Sequence, residues 1–128
     1  MLADHRAYAT LPTADMDRLR RFYEDTLGFT PVLENPAAVF YGAGEGTTFN
    51  ITRSTGGASG DHTQLGFRVT GIEAEVDDLR ARGVTFEEYD TPMFKTENGI
   101  ARIGPARAAW FRDPDGNLIG LFEPGPTG

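Results

Sequence analysis

Two glycines, Gly28 and Gly83, each close a stretch that reads as an amphipathic helix, with short apolar runs of strand length before and after it. This recurrence constrains the fold more than any single motif does. In the first copy, residues 7–11 form a short strand stopped by Pro12, and Thr13 or Asp15 can cap the helix that follows. Met16, Leu19, Phe22, Tyr23 and Leu27 fall on one helix face, with Arg18, Arg20, Arg21, Glu24 and Asp25 mostly on the other. Strand candidates at 29–33, 38–41 and 47–52 come next, separated by Asn35-Pro36 and by Gly42, Gly44 and Gly46. In the second copy, residues 64–69 are a strand and Ile72, Val76 and Leu79 mark a helix face. Residues 84–89 are a strand, 91–105 a long irregular segment, and 110–124 a hairpin about Asp113-Pro114-Asp115-Gly116, which suits a type I turn. The expected fold is therefore α+β: two units of strand, helix and about three strands, each with its helix on one sheet face. The opposite face is left concave or covered by something else.

The Gly/Ser/Thr-rich residues 54–61 read as a flexible connector between modules 5–53 and 62–124 of one 128-residue domain. The net charge of −7 and the lack of a basic stripe argue against nucleic acid and anionic membrane surfaces, and are compatible with cationic or neutral partners. There is no cysteine, which excludes disulfides, thiolate metal sites and cysteine nucleophiles. No apolar run approaches the ~20 residues that span a bilayer, and residues 1–17 hold no secretory apolar segment, so a cytoplasmic protein is expected.

The run Leu11-Pro12-Thr13-Ala14-Asp15-Met16-Asp17, leading to Phe22-Tyr23 and Leu27-Gly28-Phe29, resembles the first unit of the vicinal oxygen chelate superfamily. That group includes glyoxalase I, bleomycin resistance proteins and extradiol dioxygenases. Phe67-Arg68-Val69, the second helix, and Asp113-Pro114-Asp115-Gly116-Asn117 with Glu123-Pro124 resemble its second unit. The resemblance runs from Tyr8 to Pro124. It implies paired βαβββ modules whose mixed sheets each curl into half of a cup, with the helices outside. In metal-bearing members, His, Glu or Gln on the first and last strand of each module hold a divalent ion.

Counting along the strands places those four positions at Tyr8, Asn50, Gln64 and Gly120. Parity agrees: Ala7, Ala9 and Leu11, then Leu65, Phe67 and Val69, then Ile119 and Leu121, form the apolar sets that pack under helices. The alternate sets face the cup. This quartet has neither His nor carboxylate, so it lacks the donors a divalent transition metal wants. Glu123 and His5 have the wrong parity. His62, two residues from Gln64, is with Gln64 the weak candidate for a metal. No cofactor is expected.

The residues expected to bind a ligand are Tyr8, Asn50, Gln64, Arg68, Trp110, Gly120 and Phe122. Gly120 marks either a bulge or bend, or a point of close ligand approach. Arg68 could grip an anionic or carbonyl group, or be solvated or paired with an acid. The parity of Trp110 is open, since Ala108/Trp110 and Ala109/Phe111 both suit an inward set. Residues 91–105 exceed the usual loop length, so Met93 and Phe94 could close over the cup, or the segment is an excursion holding a short strand. Glu73, Glu75, Asp77 and Asp78 are a solvated face, while Glu87, Glu88 and Asp90 could form an acidic rim. No Ser/His/acid set has interpretable spacing, and residues 42–46 are not a phosphate cradle, because no helix starts after them.

These readings lead to a metal-free small-molecule-binding protein similar to the bleomycin-resistance branch, a homodimer that sequesters an aromatic or cationic compound. Two alternatives stand: a metal-dependent or atypical lyase, isomerase or dioxygenase of the same superfamily, and a non-catalytic accessory or regulatory binding module. The two modules could pair within one chain or exchange between chains.

Overall fold

Asp15 sets the start of the first helix: its Oδ1 accepts from the Arg18 N–H at 3.1 Å, while Thr13 Oγ1 accepts from the Asp15 N–H. This end belongs to the first of two compact units, Met1–Ala58 and Ser59–Gly128, into which the computed structural model divides. The structure describes residues 1–54, 57–58 and 60–125. The division falls inside the expected connector 54–61, of which Thr55, Gly56 and Ser59 lie outside the described residues.

The first unit runs β1 (Ala9–Thr13), α1 (Met16–Arg21), β2 (Pro31–Glu34), β3 (Ala38–Gly42) and β4 (Thr48–Arg53). Its sheet order is β1-β4-β3-β2, with β1 parallel to β4 and the other pairs antiparallel. The helix is not one regular α-helix as the spacing implied. It widens into a π turn over Phe22–Thr26, where the Leu27 N–H reaches the Phe22 carbonyl. Gly28 then takes φ 84°, the left-handed conformation that a helix exit needs. Leu11, Leu19, Tyr23, Tyr41, Phe49 and Ile51 are buried between helix and sheet. Tyr23, Phe29 and Phe49 pack with ring centroids 5.0–6.3 Å apart. The buried Tyr41 hydroxyl donates to Glu24 Oε2 at 2.8 Å, and Arg20 links Glu24 to Glu34. Arg20, and then Tyr41, hold the Glu24 carboxyl below its usual range, while burial and the neighbouring Glu24 push the Tyr41 phenol up.

The second unit runs β5 (Thr63–Arg68), α2 (Ile72–Ala81), β6 (Thr96–Glu97), β7 (Ile100–Ile103), β8 (Ala106–Arg112) and β9 (Leu118–Glu123). The order is β5-β9-β8-β7-β6, with β5 parallel to β9 and the rest antiparallel. Ile72 and Val76 of α2, together with Ala109, Phe111, Ile119 and Leu121, are buried in its core. Glu123, at the end of β9, caps α2 by accepting from the Ile72 N–H at 2.8 Å, and Arg107 holds its other oxygen. The Asp113 turn closes as expected. The Gly116 N–H meets the Asp113 carbonyl, and the buried Asp113 carboxylate accepts from Asp115 N, Asn117 N and Asn117 Nδ2.

Both units confirm the α+β expectation, but the second departs from it in detail. Residues 84–89 are not a regular strand. Phe86 makes one bridge to Phe111, Glu87 N reaches the Trp110 carbonyl, and Tyr89 N goes to Thr96 Oγ1. These backbone groups are thus satisfied by scattered partners rather than by one ladder. The missing strand pairing is supplied by 96–97 and 100–103, a hairpin turned at Asn98 (φ 54°) and Gly99 (φ 80°).

Candidate binding face of the second unit

The pairing of β5, β9 and β8 lays two rows of side chains on the sheet face away from α2. Gly66, Gly120 and Trp110 form one row, and Arg68, Phe122 and Ala108 the next. They line a cavity of about 400 Å³. The parity of Trp110 is thereby resolved: Ala108 and Trp110 face away from the helix, and Ala109 and Phe111 lie beneath it. Phe122 is 46% exposed on this face.

The glycine rows explain how the indole is seated. A Cβ at Gly120 would stand 3.1 Å from Thr63 Cγ2 and 3.4 Å from Trp110 Cδ1. The absent side chain therefore lets Thr63 and the indole close over the β9 backbone, an approach of the protein to itself. The bulge or bend, one of the two readings of Gly120, lies instead on β5, as a register shift between Thr63 and Leu65. Trp110 Nε1 donates to Thr63 Oγ1 at 3.1 Å. Phe94 stacks on the indole at 5.1 Å and 29°, and Tyr89 meets it edge-on at 5.5 Å. Phe94 thus packs on Trp110. Met93, proposed with it, is 87% exposed.

The shift in β5 corrects the strand count. Thr63, not Gln64, stands beside Gly120 and lines the cavity. Gln64 Oε1 is buried, with no hydrogen-bond partner among the described residues. Sequence reasoning missed Thr63 and Tyr89. A bulge has no signature in the alternation of residues 63–69, and Tyr89 lay in a segment read as a plain strand.

In the first unit, Thr10, Asn50 and Phe40 share the row away from the helix, and Tyr8 packs edge-on against Phe40 at 5.3 Å. Tyr8 is 56% exposed, whereas Asn50 is only 2% exposed. The Asn50 amide is engaged on both sides: Nδ2 donates to Thr10 Oγ1 at 3.2 Å, and Oδ1 accepts from Thr52 Oγ1 at 2.6 Å.

Charge is sparse on the second unit's open face. Arg112, at its end, is held by Glu87 (2.6 Å) and Asp61 (2.8 Å), and these partners raise its pKa. Burial, and then Glu87, push the Tyr89 phenol up. Arg68 is the one charged residue lining the cavity among the described residues, and its guanidinium has no hydrogen-bond or ion-pair partner among them.

The family model for the Glyoxalase/Bleomycin resistance protein/Dioxygenase superfamily matches residues 5–121. The chain belongs to that superfamily. Among solved structures, the antibiotic binding protein TnmS3 from Streptomyces sp. CB03234 matches with a TM-score of 0.67 at 25% identity, over 94% of this chain and 96% of that one. A glyoxalase/bleomycin resistance protein from the same Streptomyces strain gives 0.63 at 26% identity, over 91% and 98%. A glyoxalase/bleomycin resistance protein/dioxygenase from Nocardioides gives 0.64 at 21%, over 97% and 89%, a likeness of fold.

Superfamily membership raises the question of a divalent metal, and the donors present do not fit one. At the positions the family resemblance implies, Asn50 is tied to Thr10 and Thr52, Gly120 has no side chain, and neither Tyr8 nor Gln64 brings an imidazole or a carboxylate. His62 is exposed, and the described residues hold no group of three or more His, Asp or Glu placed to ligate an ion. No helix among the described residues is long and apolar enough to cross a membrane.

Proposed function

We propose that this superfamily member is a small-molecule-binding protein that holds an aromatic compound by packing and hydrogen bonding, without a divalent metal. The observation that carries this reading is the cavity of about 400 Å³ on the helix-free face of the second unit. Its size lies within the ~300–1,000 Å³ of ordinary ligand sites. Its walls are mainly apolar, and Gly66 and Gly120 narrow the floor to backbone. Trp110 and Phe122 supply ring surface on which a flat ligand can lie. The likeness to an antibiotic binding protein supports sequestration as the use of this face.

Two measurements test the reading. Elemental analysis of purified protein is expected to find no stoichiometric Ni, Zn, Fe or Mn, and a chelator is expected to leave the melting temperature unchanged. Near-stoichiometric metal that raises the melting temperature would overturn the metal-free reading. Trp110 is the chain's only tryptophan, so its emission reports on the cavity directly. Titration with flat aromatic antibiotics is expected to quench it saturably, and Phe122→Ala to weaken that binding several-fold.

A further inference from the structure

We propose that the ligand of this face is a planar aromatic compound with an anionic or carbonyl-rich edge, and that Arg68 grips that edge. The inference rests on the reading of the face as a ligand site and adds the sign of its charge.

Arg68 is set apart from most other arginines of the chain. Arg20, Arg82, Arg107 and Arg112 are each paired with a carboxylate, and Arg80 donates to the Asn98 carbonyl and lies over the Phe86 ring. Arg68 has no such partner among the described residues, although the chain carries a net charge of −7 and acids are plentiful. The register fixes where it stands. It is directly opposite Phe122, whose own neighbour is Ala108, so a cation sits at the edge of an apolar row. No acid lines the cavity among the described residues.

A positively charged ligand would meet repulsion from Arg68 and no compensating carboxylate. A flat ligand with a carboxylate, sulfonate or carbonyl pair at one end would place its rings on Phe122 and Trp110 and its oxygens on the guanidinium fork. A charge-assisted hydrogen bond of this kind is worth about tenfold or more in affinity. The overall negative charge slows the approach of an anion, so complementarity here acts in the bound state rather than through long-range steering.

The test uses two probes that share a naphthalene ring and carry opposite charges: naphthalene-2-sulfonate and 2-naphthylmethylammonium, titrated against the full chain by Trp110 emission. The sulfonate is expected to bind about tenfold tighter. Arg68→Gln should erase that preference, Arg68→Lys should keep part of it, and Phe122→Ala should weaken both probes alike. Rising salt should narrow the gap between the two probes. If both probes bind, Phe122→Ala weakens both, and yet the ammonium binds as tightly or Arg68→Gln leaves the ratio unchanged, the charge assignment is overturned and the ligand-site reading survives. If neither probe binds and Phe122→Ala changes nothing, the ligand-site reading fails and the charge assignment fails with it.

Discussion

Gly120 shows how one residue can be informative for a reason the sequence does not display. Its place on β9 was legible by counting from the Asp113 turn, and so was the absence of a metal-binding side chain there. What fills the space was not legible, because Thr63 arrives through a bulge that alternation conceals. The same bulge displaced Gln64 from the position that counting assigned to it. Gly120 does not have a positive φ, so a larger residue there meets packing rather than backbone strain. Gly120→Ala is expected to force Thr63 and the indole outward and to lower stability by about 1–3 kcal/mol. Equilibrium denaturation measures the loss, and a red shift of Trp110 emission reports the displaced ring. A variant with unchanged stability and emission would show that the two neighbours yield freely.

At the scale of elements, the helices were the most readable parts. Asp15 caps α1, and Gly28 and Gly83 end their helices with φ of 84° and 95°, as position and residue type implied. The cap of α2 was hidden, because Gly71 offers no side chain and the acceptor comes from Glu123, far along the chain. Residues 84–89 were misread as a strand because their apolar content suits one, while their backbone groups go to scattered partners. The true hairpin turns at Asn98-Gly99. The Glu123 cap has a consequence in acid. Its carboxyl is held below the usual value near 4.5, first by the Ile72 N–H and then by Arg107. A depressed carboxylate adds stability that is fully present above its unfolded-state pKa and is lost as pH falls through the lower folded-state value. Melting temperature should therefore fall as pH drops below about 4.5, with a shallower acid limb in Glu123→Gln. Parallel acid limbs in the two proteins would remove Glu123 from the account.

For the whole molecule, the recurrence of strand, helix and strands revealed two units, and the residue runs at 11–29, 67–69 and 113–124 carried the resemblance to the superfamily. Neither said much about which face would carry function. The open face of the second unit draws on β5, β7, β8 and β9, elements spread over residues 63–123, and only register brings them together. A chain truncated before Leu118 should thus lose the cavity as a whole. Its Trp110 emission is expected to be that of a solvated indole, and unfolding of this unit to lose its cooperativity.

The parallel pairing that joins the first strand of each unit to its last also has a meaning in time. Ala9 waits for Phe49, and Gly66 waits for Gly120, before either sheet can close. For a chain emerging from the ribosome, the first unit can close once residue 53 is free, with the rest of the chain still unmade. The second waits longer, since β5 at 63–68 finds its partner only in β9 at 118–123. Its β5 edge stays unpaired throughout that wait, so nascent chains of this protein are most open to mispairing along β5.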